Sequence, residues 1–354
     1  MNIKTLFVRS QYLFYYFIKL DWPKFRKFVR YTKTRTGFST IFIYFDMLKC
    51  VYKYNIGIMD YFIFRFFEKD STERELWVGT GYKYEYDLIM NPKETRHLLA
   101  NKIDFYEAYK PFVIHSTCTI DDINKNNSQA NNVLSNSTGK IAVKDALGQC
   151  GWNVEILDTK SFDNGTLLKY MKSHKYNLAE EFIVQHPDLS ALSSTGVNTV
   201  RIITQLNKLD EVEVLGARLR VSVNNHVDNL ASGNLAAAID IEKGVVNGPG
   251  VFSDITKENV VSHPVSGMEL KGFKIPLWEE CLSLVGRAAL HRPENRSIGW
   301  DVVITEKGPE LLEGNHNWCK ILWQIPVNKG LKSVLQNHLD EFIEKKRNQK
   351  QRIS

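Results

Sequence analysis

A change of pattern near residue 101 constrains the fold of this chain more than any other feature of its sequence. Residues 1–100 are predicted to be mostly helical, because large apolar side chains recur there at spacings of three and four residues. Short runs rich in β-branched and apolar residues follow, and turn residues separate them. Helical stretches at about 163–174, 278–290 and 331–346 interrupt these runs. The sequence therefore predicts an α+β body with largely antiparallel sheets. The runs are PFVIHST, GKIAVK, NVEILD, EEFIVQ, VNTVRIITQL, EVLGARLRVSV, AAAIDIEKGVV and the pair within GWDVVITEKGPELLEGN.

The composition narrows the class of protein. A length of 354 residues allows two or three subdomains, and 43% hydrophobic with 24% charged residues is usual for a globular protein. The five cysteines include no C-x-x-C pair, which argues against a disulfide framework and against a structural zinc site. A reducing cytoplasm is the location that we expect. The sequence also contains no Walker A loop, no dinucleotide-binding fingerprint and no G-x-S-x-G nucleophile motif.

Positive charge is concentrated in residues 1–35. This segment has nine basic residues and one acidic residue, a net charge of +8, so the remainder of the +6 chain is slightly acidic. The basic residues alternate with aromatic ones, and no uncharged run of 18 residues is present for a membrane-spanning helix. Such a segment either lies on an anionic membrane surface or packs as an amphipathic helix with Lys and Arg turned to water. No nucleic-acid-binding motif accompanies it, so no nucleic acid is expected as a partner.

A predicted hairpin within residues 299–315 places acidic and amide side chains together. The runs DVVIT and PELLE flank a Lys307-Gly308 turn, and Glu313 and Asn315 are two apart on the return strand, so they project from one face. Asp301 lies on the partner strand, where hairpin pairing could bring its carboxylate to the same face. Two carboxylates and an amide oxygen form the kind of site that holds Mg²⁺. The alternative is a solvated hairpin whose acids face water.

A second candidate site combines lysine with glycine. Lys144 ends the run GKIAVK, and Gly148 and Gly151 lie in the turn that follows. Glycines let a backbone approach a phosphate closely and present N–H groups to it, while lysine supplies a point charge. Lys102, at the start of a predicted helix, has the reach to enter the same cleft. The alternatives are an ordinary turn and a solvated lysine.

The segment AEEFIVQHP ends a strand with adjacent acids and an apolar pair. Its backbone N–H and C=O groups would suit the polar edge of an adenine ring, with Phe182 and Ile183 in apolar contact. The alternative is a plain interior strand. The polar segment 121–138, DDINKNNSQANNVLSNST, is predicted to be an exposed connector.

Three arginines lie within strand-like runs, namely Arg201 in VNTVRIIT and Arg218 and Arg220 in GARLRVSV. An unpaired buried charge is costly, so each needs a partner, and the guanidinium group binds a carboxylate or a phosphate through two parallel hydrogen bonds. The partner is therefore either a ligand or a carboxylate of the protein. The carboxylates considered are those of Glu180, Glu213 and Asp240.

The order of these elements resembles that of the ATP-grasp superfamily, and more narrowly its sugar-transfer-associated branch, which is related to α-L-glutamate ligases and found with polysaccharide-synthesis genes. The similarity covers about residues 40–325. It implies an ATP-grasp fold, in which two α+β subdomains clamp ATP, preceded by a mainly helical region. The implied division is 1–100 for the helical, basic region, 101–186 for the first subdomain, 187–330 for the second, and 331–354 for a terminal helix and tail.

The resemblance also implies roles for individual residues. ATP phosphates would contact Lys102 and Lys144 under a loop from Gly148 to Gly151; adenine would lie at Glu180, Glu181 and Ile183, ribose at Asp188, and Mg²⁺ at Asp301, Glu313 and Asn315. Arg201 would bind the γ-phosphate or a substrate carboxylate. Two departures stand out. The loop is bulkier than the family pattern because it contains Gln149, Cys150 and Trp152. Gly299 stands where many relatives have an arginine, so the negative charge of the transition state would be stabilised by Arg201, Arg218 or Arg220 instead.

The function implied by the resemblance is an ATP-dependent ligase that joins a carboxylate to an amine through an acyl phosphate. Its substrates would be small molecules, some of them sugar-linked, in surface polysaccharide modification. Two alternatives use the same residues. One is a sugar kinase or phosphotransferase, and the other is a non-catalytic nucleotide-binding scaffold at the inner face of the membrane, where residues 1–35 would contact anionic lipid.

Overall fold

The computed structural model describes residues 2–148, 154–223, 230 and 233–353. The chain begins with seven helices, and short 3-10 helices follow the fourth and the seventh. Their bounds are α1 Ile3–Ile18, α2 Trp22–Thr36, α3 Thr40–Tyr54, α4 Ile58–Ile63, α5 Ser71–Glu75, α6 Thr80–Met90 and α7 Lys93–Arg96, with 3-10 turns at Phe66–Glu68 and His97–Leu99. Within the described ranges, no helix combines the length and apolar character that crossing a bilayer requires.

Helix α2 shows how the local sequence sets these boundaries. The carboxylate of Asp21 accepts a hydrogen bond from the backbone N–H of Lys24 at 3.0 Å, which caps the first turn. Pro23 follows at a position where a missing N–H costs nothing. The helix ends at Gly37, whose φ of 74° is a left-handed conformation suited to glycine. Its buried residues join an aromatic core that is formed with α3 and α4.

The first sheet has four antiparallel strands in the order β1-β4-β2-β3. The elements of this part are α8 Lys102–Ala108, β1 Thr117–Thr119, α9 Ile120–Asn124, α10 Ser128–Leu134, β2 Lys140–Lys144, β3 Val154–Asp158, α11 Asn164–His174 and β4 Leu178–Glu181, with 3-10 turns at Lys110–Phe112 and Thr159–Ser161. Ile141, Val143 and Ala179 pack with α9, α10 and α11 in one core. Because side chains alternate along a strand, Lys144 and Glu180 project from the opposite face.

The second sheet has six antiparallel strands in the order β10-β9-β5-β6-β7-β8. Its elements are α12 Pro187–Leu192, β5 Thr199–Leu206, β6 Val212–Val221, β7 Leu235–Asp240, β8 Val245–Val246, α13 Trp278–His291, β9 Ser297–Thr305, β10 Gly308–Asn315, α14 Lys320–Gln324 and α15 Lys332–Ile353, with a 3-10 turn at Ile325–Val327. Val200, Ile202, Val302 and Ile304 pack against α13 in the largest core of the molecule. The opposite face of these strands carries the arginines and Asp301.

The α+β class with antiparallel sheets is confirmed, but some local predictions were wrong. The run PFVIHST yields only the strand Thr117–Thr119, since Lys110–Phe112 turns as a 3-10 helix. The predicted connector 121–138 contains α9 and α10, which begin at polar caps on Thr119 and Asn127. In the hairpin, Gly308 pairs with Thr305, so Glu306 and Lys307 form the two-residue loop.

Candidate functional site

A row of four charged side chains crosses the second sheet. Glu313, Asp301, Arg201 and Arg218 are direct cross-strand neighbours on β10, β9, β5 and β6. Directly opposed residues in antiparallel strands place their side chains on one face, within interaction distance. The predicted hairpin and the convergence of Asp301 with Glu313 are therefore present in the structure. The register brings two acids beside two arginines.

Asp301 is the counter-ion of two arginines. Arg201 donates to both of its carboxylate oxygens, one of them at 2.9 Å, and Arg220 donates to Oδ2 at 2.7 Å. Burial alone would raise the pKa of Asp301, but the charges of Arg201 and Arg220 hold it well below its ordinary value. The protein carboxylates considered from sequence as arginine partners were wrong for Arg201 and Arg220, because Asp301 serves both.

Arg218 has a different environment. Its guanidinium group donates to the carbonyl oxygens of Trp323 and Ala217, the second at 2.7 Å. Among the residues that the structure describes, no carboxylate pairs with it. Burial lowers the pKa of Arg218 to about 10, since a charged group in an apolar surrounding is disfavoured. A buried cation held only by carbonyl groups is suited to an anionic ligand.

Gly299 explains why an arginine is missing two residues before Asp301. A Cβ atom at this position would lie 2.5 Å from Cβ of Trp318 and 3.2 Å from Cδ of Arg201. The first separation is closer than carbon atoms approach, so a side chain does not fit. Arg201 itself fills part of the space, so a positively charged side chain from β5 lies beside position 299.

Lys102 connects the two sheets at the end of the charged row. Its Nζ atom donates to the carbonyl oxygen of Gly148 at 3.0 Å and lies 3.5 Å from Oε2 of Glu313. Nδ2 of Asn315 lies 3.3 Å from Oε1 of the same glutamate. The side chain of Glu313 is 33% exposed, so it is accessible from the cleft. The glycine-containing turn and the acidic hairpin therefore meet at one lysine.

Lys144 pairs with Glu180 inside the first sheet. The two side chains are 2.5 Å apart, and Glu180 is only 4% exposed. Burial alone would raise the pKa of Glu180, but the charges of Lys144 and His115 lower it below its ordinary value. In the described part of the chain, Oε1 of Glu180 and the hydroxyl of Tyr106 are buried without a hydrogen-bond partner. Burial and the charge of Glu180 raise the pKa of Tyr106 well above 10.

Residues 183–185 cross from the first sheet to the second. Phe182 still donates its N–H to the carbonyl of Lys140 at 3.1 Å, whereas His186 donates to the carbonyl of Ile304 on β9 at 2.7 Å. The predicted adenine segment thus lies where the two sheets are joined, as a hinge requires. Asp188, the predicted ribose contact, is mostly exposed in the first turn of α12 and lies 3.6 Å from His186.

A cavity of about 150 Å³ lies beside this crossing and is lined by Glu181 and Ile183, together with the loop at Glu306 and Lys307. None of the residues of the charged row lines it. Its volume is below that of ordinary small-molecule pockets, which hold about 300 Å³ or more. The junction at Lys102, between Gly148 and Glu313, is therefore the better candidate for the phosphates of a nucleotide.

Two groups near the site were not predicted. Tyr106 is four residues after Lys102 on α8, and that spacing, which places both on one helix face, was available from the sequence. Glu310 was not predictable from sequence, because its partners are distant along the chain. It accepts hydrogen bonds from the N–H groups of Ile114 and His115 at 2.6 and 2.8 Å and from Nδ1 of His115 at 2.7 Å. This contact joins the start of the first sheet to the hairpin.

The donor set can be compared with the needs of Mg²⁺. Carboxylate and amide oxygens at Glu313 and Asn315 are hard ligands, and Mg²⁺ in proteins takes few such ligands beside waters and phosphates. Both oxygens of Asp301 already accept hydrogen bonds from Arg201 or Arg220, so its role as a magnesium ligand stays a prediction. Gly151, predicted in the phosphate loop, lies outside the described residues, as do Gln149, Cys150 and Trp152.

Comparison with known proteins identifies one matching family. The model of a family described as sugar-transfer associated ATP-grasp matches residues 82–339. No curated protein sequence matches the chain.

Several solved structures are similar at low sequence identity. The biotin carboxylase domain of a 2-oxoglutarate carboxylase from Hydrogenobacter thermophilus, in complex with MgADP, ADP and bicarbonate, is 13% identical with a TM-score of 0.38, over 68% of this chain and 47% of that one. An L-amino acid ligase from Bacillus licheniformis is 12% identical with a TM-score of 0.37, over 67% and 48%. A D-alanine–D-alanine ligase from Bacillus anthracis is 12% identical with a TM-score of 0.37, over 72% and 70%. The chain spans about half the length of the first two.

Proposed function

Since the chain belongs to the sugar-transfer associated ATP-grasp family, whose model matches residues 82–339, we propose that it is an ATP-dependent ligase joining a carboxylate to an amine. The reaction proceeds through an acyl phosphate, and its substrates belong to surface polysaccharide or sugar modification. The match of the family model confirms the ATP-grasp family and fold that the sequence predicted. The reaction, the substrates and the residue roles are the proposal.

The observation that carries the proposal is the position of Lys102. Its ammonium group lies between the carbonyl of Gly148, at 3.0 Å, and the carboxylate of Glu313, at 3.5 Å. One group is the start of the predicted phosphate loop of the first sheet, and the other is the predicted magnesium ligand of the second sheet. A triphosphate bound at this junction would contact both. This is the arrangement that transfer of a terminal phosphoryl group requires.

Each charged side chain has a defined part in this reaction. Lys102 and Lys144 bind phosphate oxygens, and Lys144 must leave Glu180 to do so. Arg218, which no described carboxylate neutralises, binds the substrate carboxylate or the transferring phosphoryl group through its guanidinium fork. Arg201 and Arg220 are held in place by Asp301 and add positive charge behind it. Glu313 and Asn315 would hold Mg²⁺, which, when bound, neutralises charge on the phosphate oxygens.

The chemistry has two balanced steps. An oxygen of the substrate carboxylate attacks the γ-phosphorus of ATP, which forms an acyl phosphate and releases ADP. The amine nitrogen then attacks the acyl carbon, the bond from carbon to the phosphate oxygen breaks, and inorganic phosphate leaves as the nitrogen loses a proton. Arginines in a water-poor cleft stabilise the negative charge that develops on the acyl oxygen.

The first test is binding of a non-hydrolysable ATP analogue, measured by calorimetry with and without Mg²⁺. Wild type is compared with Lys102→Met and Glu313→Gln, and Lys172→Met on an exposed part of α11 is the matched control. We expect magnesium-dependent binding that both site variants weaken by about tenfold or more, since each removes a charged contact worth about 1.5–3 kcal/mol. The control should bind as wild type does.

A second test separates the ligase from the other functions. ADP release that requires both an acid and an amine supports the ligase, and ADP release with a sugar alone indicates a kinase. Absence of nucleotide binding at millimolar concentration contradicts both enzymes and the nucleotide-binding scaffold, and favours a vestigial scaffold that binds no nucleotide.

A further inference from the structure

Helix α1 presents its apolar side to solvent, the reverse of what a helix packed on a domain normally does. In the part of the chain that the structure describes, α1 contains no buried residue. Its inner side is formed by Val8, Tyr12, Leu13 and Tyr16, of which Leu13 and Tyr16 pack against the aromatic core of the helical region. The alternative of a docked amphipathic helix with Lys and Arg turned to water therefore describes α1 incompletely, because apolar side chains are turned to water as well.

The outward side of α1 is a continuous stripe. Ile3, Phe7, Phe14 and Ile18 recur at spacings of four, seven and four residues, which keeps them within about 60° of one another around the helix. All four are exposed, Ile3 at 88% and Phe14 at 69%. Leu6 and Phe17 extend the stripe on one side. Single exposed apolar residues are common, but a stripe of this size marks an interaction surface.

Neighbouring helices continue the same surface. On α3, Ile41 is 81% and Phe45 67% exposed, and both lie on one helix face, four residues apart. The hydroxyl of Tyr52, further along that face, lies 3.1 Å from the hydroxyl of Ser10 on the outward side of α1. The ring of Phe17 lies 6.4 Å from that of Trp22 on α2. The apolar surface therefore spans three helices.

Basic side chains adjoin this surface. Arg26, Arg30 and Lys33 follow Trp22 at spacings of four, eight and eleven residues, so all three share its exposed helix face. Within the described ranges, none of them has a carboxylate within salt-bridge distance. Lys4 on α1 and Lys19, which directly follows that helix, are exposed as well. The surface therefore combines aromatic and aliphatic side chains with cations that the protein does not neutralise.

We propose that the outward surface of α1, α2 and α3 binds an anionic lipid bilayer. Apolar side chains enter the boundary between headgroups and acyl chains, and the flanking arginines and lysines contact lipid phosphates. A second copy of the chain is a weaker candidate for the same surface. In a symmetric dimer, the basic side chains of one copy would face the same basic side chains of the other and repel them. Lysine is also depleted at protein interfaces.

The test uses the full chain and co-sedimentation with vesicles of phosphatidylcholine alone or with equimolar phosphatidylglycerol. We expect binding to the anionic vesicles that falls as salt is added, because surface charges are screened. Phe14→Ser and Phe45→Ser should each weaken binding by about tenfold, since moving a phenylalanine out of water contributes at least about 1.5 kcal/mol. Leu290→Ser, which replaces another exposed apolar residue, is the matched control and should bind normally.

The charge variants complete the design. Arg26→Ser and Arg30→Ser should each weaken binding to anionic vesicles by about fivefold, the factor that about 1 kcal/mol per basic residue gives, and Lys172→Ser should not. Equal binding to neutral vesicles, or unchanged binding by the Phe14→Ser and Phe45→Ser variants, would overturn the proposal. So would a lipid-free dimer in sedimentation velocity that the phenylalanine substitutions dissociate, because the second copy would then occupy the surface.

Discussion

Replacement of Asp301 by asparagine separates two roles that this residue can have. In the structure Asp301 forms ion pairs with Arg201 and Arg220, and its side chain is only 5% exposed. Asparagine keeps the shape but removes the negative charge with which both buried guanidinium groups pair. Breaking a buried ion pair costs about 3–5 kcal/mol, so Asp301→Asn should lower the free energy of unfolding by at least that range.

Asp210 provides a matched control. It also pairs with two basic residues, Arg296 and Lys345, both at 2.7 Å, but its side chain is 51% exposed. Exposed pairs contribute about 0.2–1 kcal/mol each, so Asp210→Asn should cost about 2 kcal/mol or less. The difference between the two variants isolates the effect of burial.

The assay is urea unfolding followed by tryptophan fluorescence, since Trp300, Trp318 and Trp323 are buried on or against the second sheet. The slope of free energy against urea must stay constant for the comparison to hold. Because the pKa of Asp301 is lowered on folding, its contribution is present above its ordinary value of 3.8 and is lost as the pH falls below that value. The difference between wild type and Asp301→Asn should therefore shrink in acid.

The opposite sign would refute this reasoning. If Asp301 served only as a metal ligand, its charge beside Glu313 would be repulsive in the absence of metal, and removing it would stabilise the chain. Asp301→Asn as stable as wild type, or no less stable than Asp210→Asn, would show that the two arginines do not depend on it.

Three further predictions concern neighbouring residues. Lys144→Met should lower the free energy of unfolding by about 3–5 kcal/mol, because buried Glu180 loses the cation that it pairs with. In urea unfolding, the double variant with Glu180→Gln should recover most of this loss. No recovery would mean that the two residues are not coupled. Gly299→Ala should lower the free energy of unfolding by about 1–3 kcal/mol, because the new methyl group clashes with Trp318. Gly286→Ala is the control: it has open space around it in α13 and should be neutral or stabilising by up to about 1 kcal/mol. Equal melting temperatures of the two variants would contradict the clash. Glu313→Gln should keep wild-type stability without ligand yet lose the magnesium dependence of nucleotide binding in calorimetry, and retention of that dependence would remove Glu313 from the site.

Local patterns predicted the architecture well where one periodicity dominated. Strands β5 and β6 and the hairpin of β9 and β10 were predictable because alternation and turn residues agree there. The segment 121–138 was predicted as a connector because its composition is polar. It forms two helices instead, since Asn127 caps α10 and only Ala130 and Val133 of that helix need burial. A small apolar face gives little periodic signal.

The residue types of the site were predictable, but their pairing was not. Asp301 faces Glu313 only because a β-bulge lies between Leu311 and Glu313, since a regular ladder from the loop at Glu306 and Lys307 would pair Asp301 with Leu312. The pairing of Asp301 with Arg201 and Arg220 depends on β9 lying beside β5, a contact between residues about a hundred positions apart. The close contact of Trp318 with Gly299 likewise depends on tertiary packing, which local sequence patterns do not predict. Sequence identified the charged groups, and strand order decided which of them neutralise one another.

Lys144 pairs with Glu180, and Lys102 lies beside Glu313. A phosphate that binds either lysine must therefore compete with a carboxylate of the protein. A polyphosphate that binds both lysines would displace Glu180 and Glu313 from them. The negative charge of each carboxylate would then no longer be balanced by its lysine. On the proposed function, a divalent ion that enters with the nucleotide would restore the balance of charge at Glu313. Uptake of the nucleotide and of the metal would then be thermodynamically linked, and each would raise the affinity for the other by the same factor.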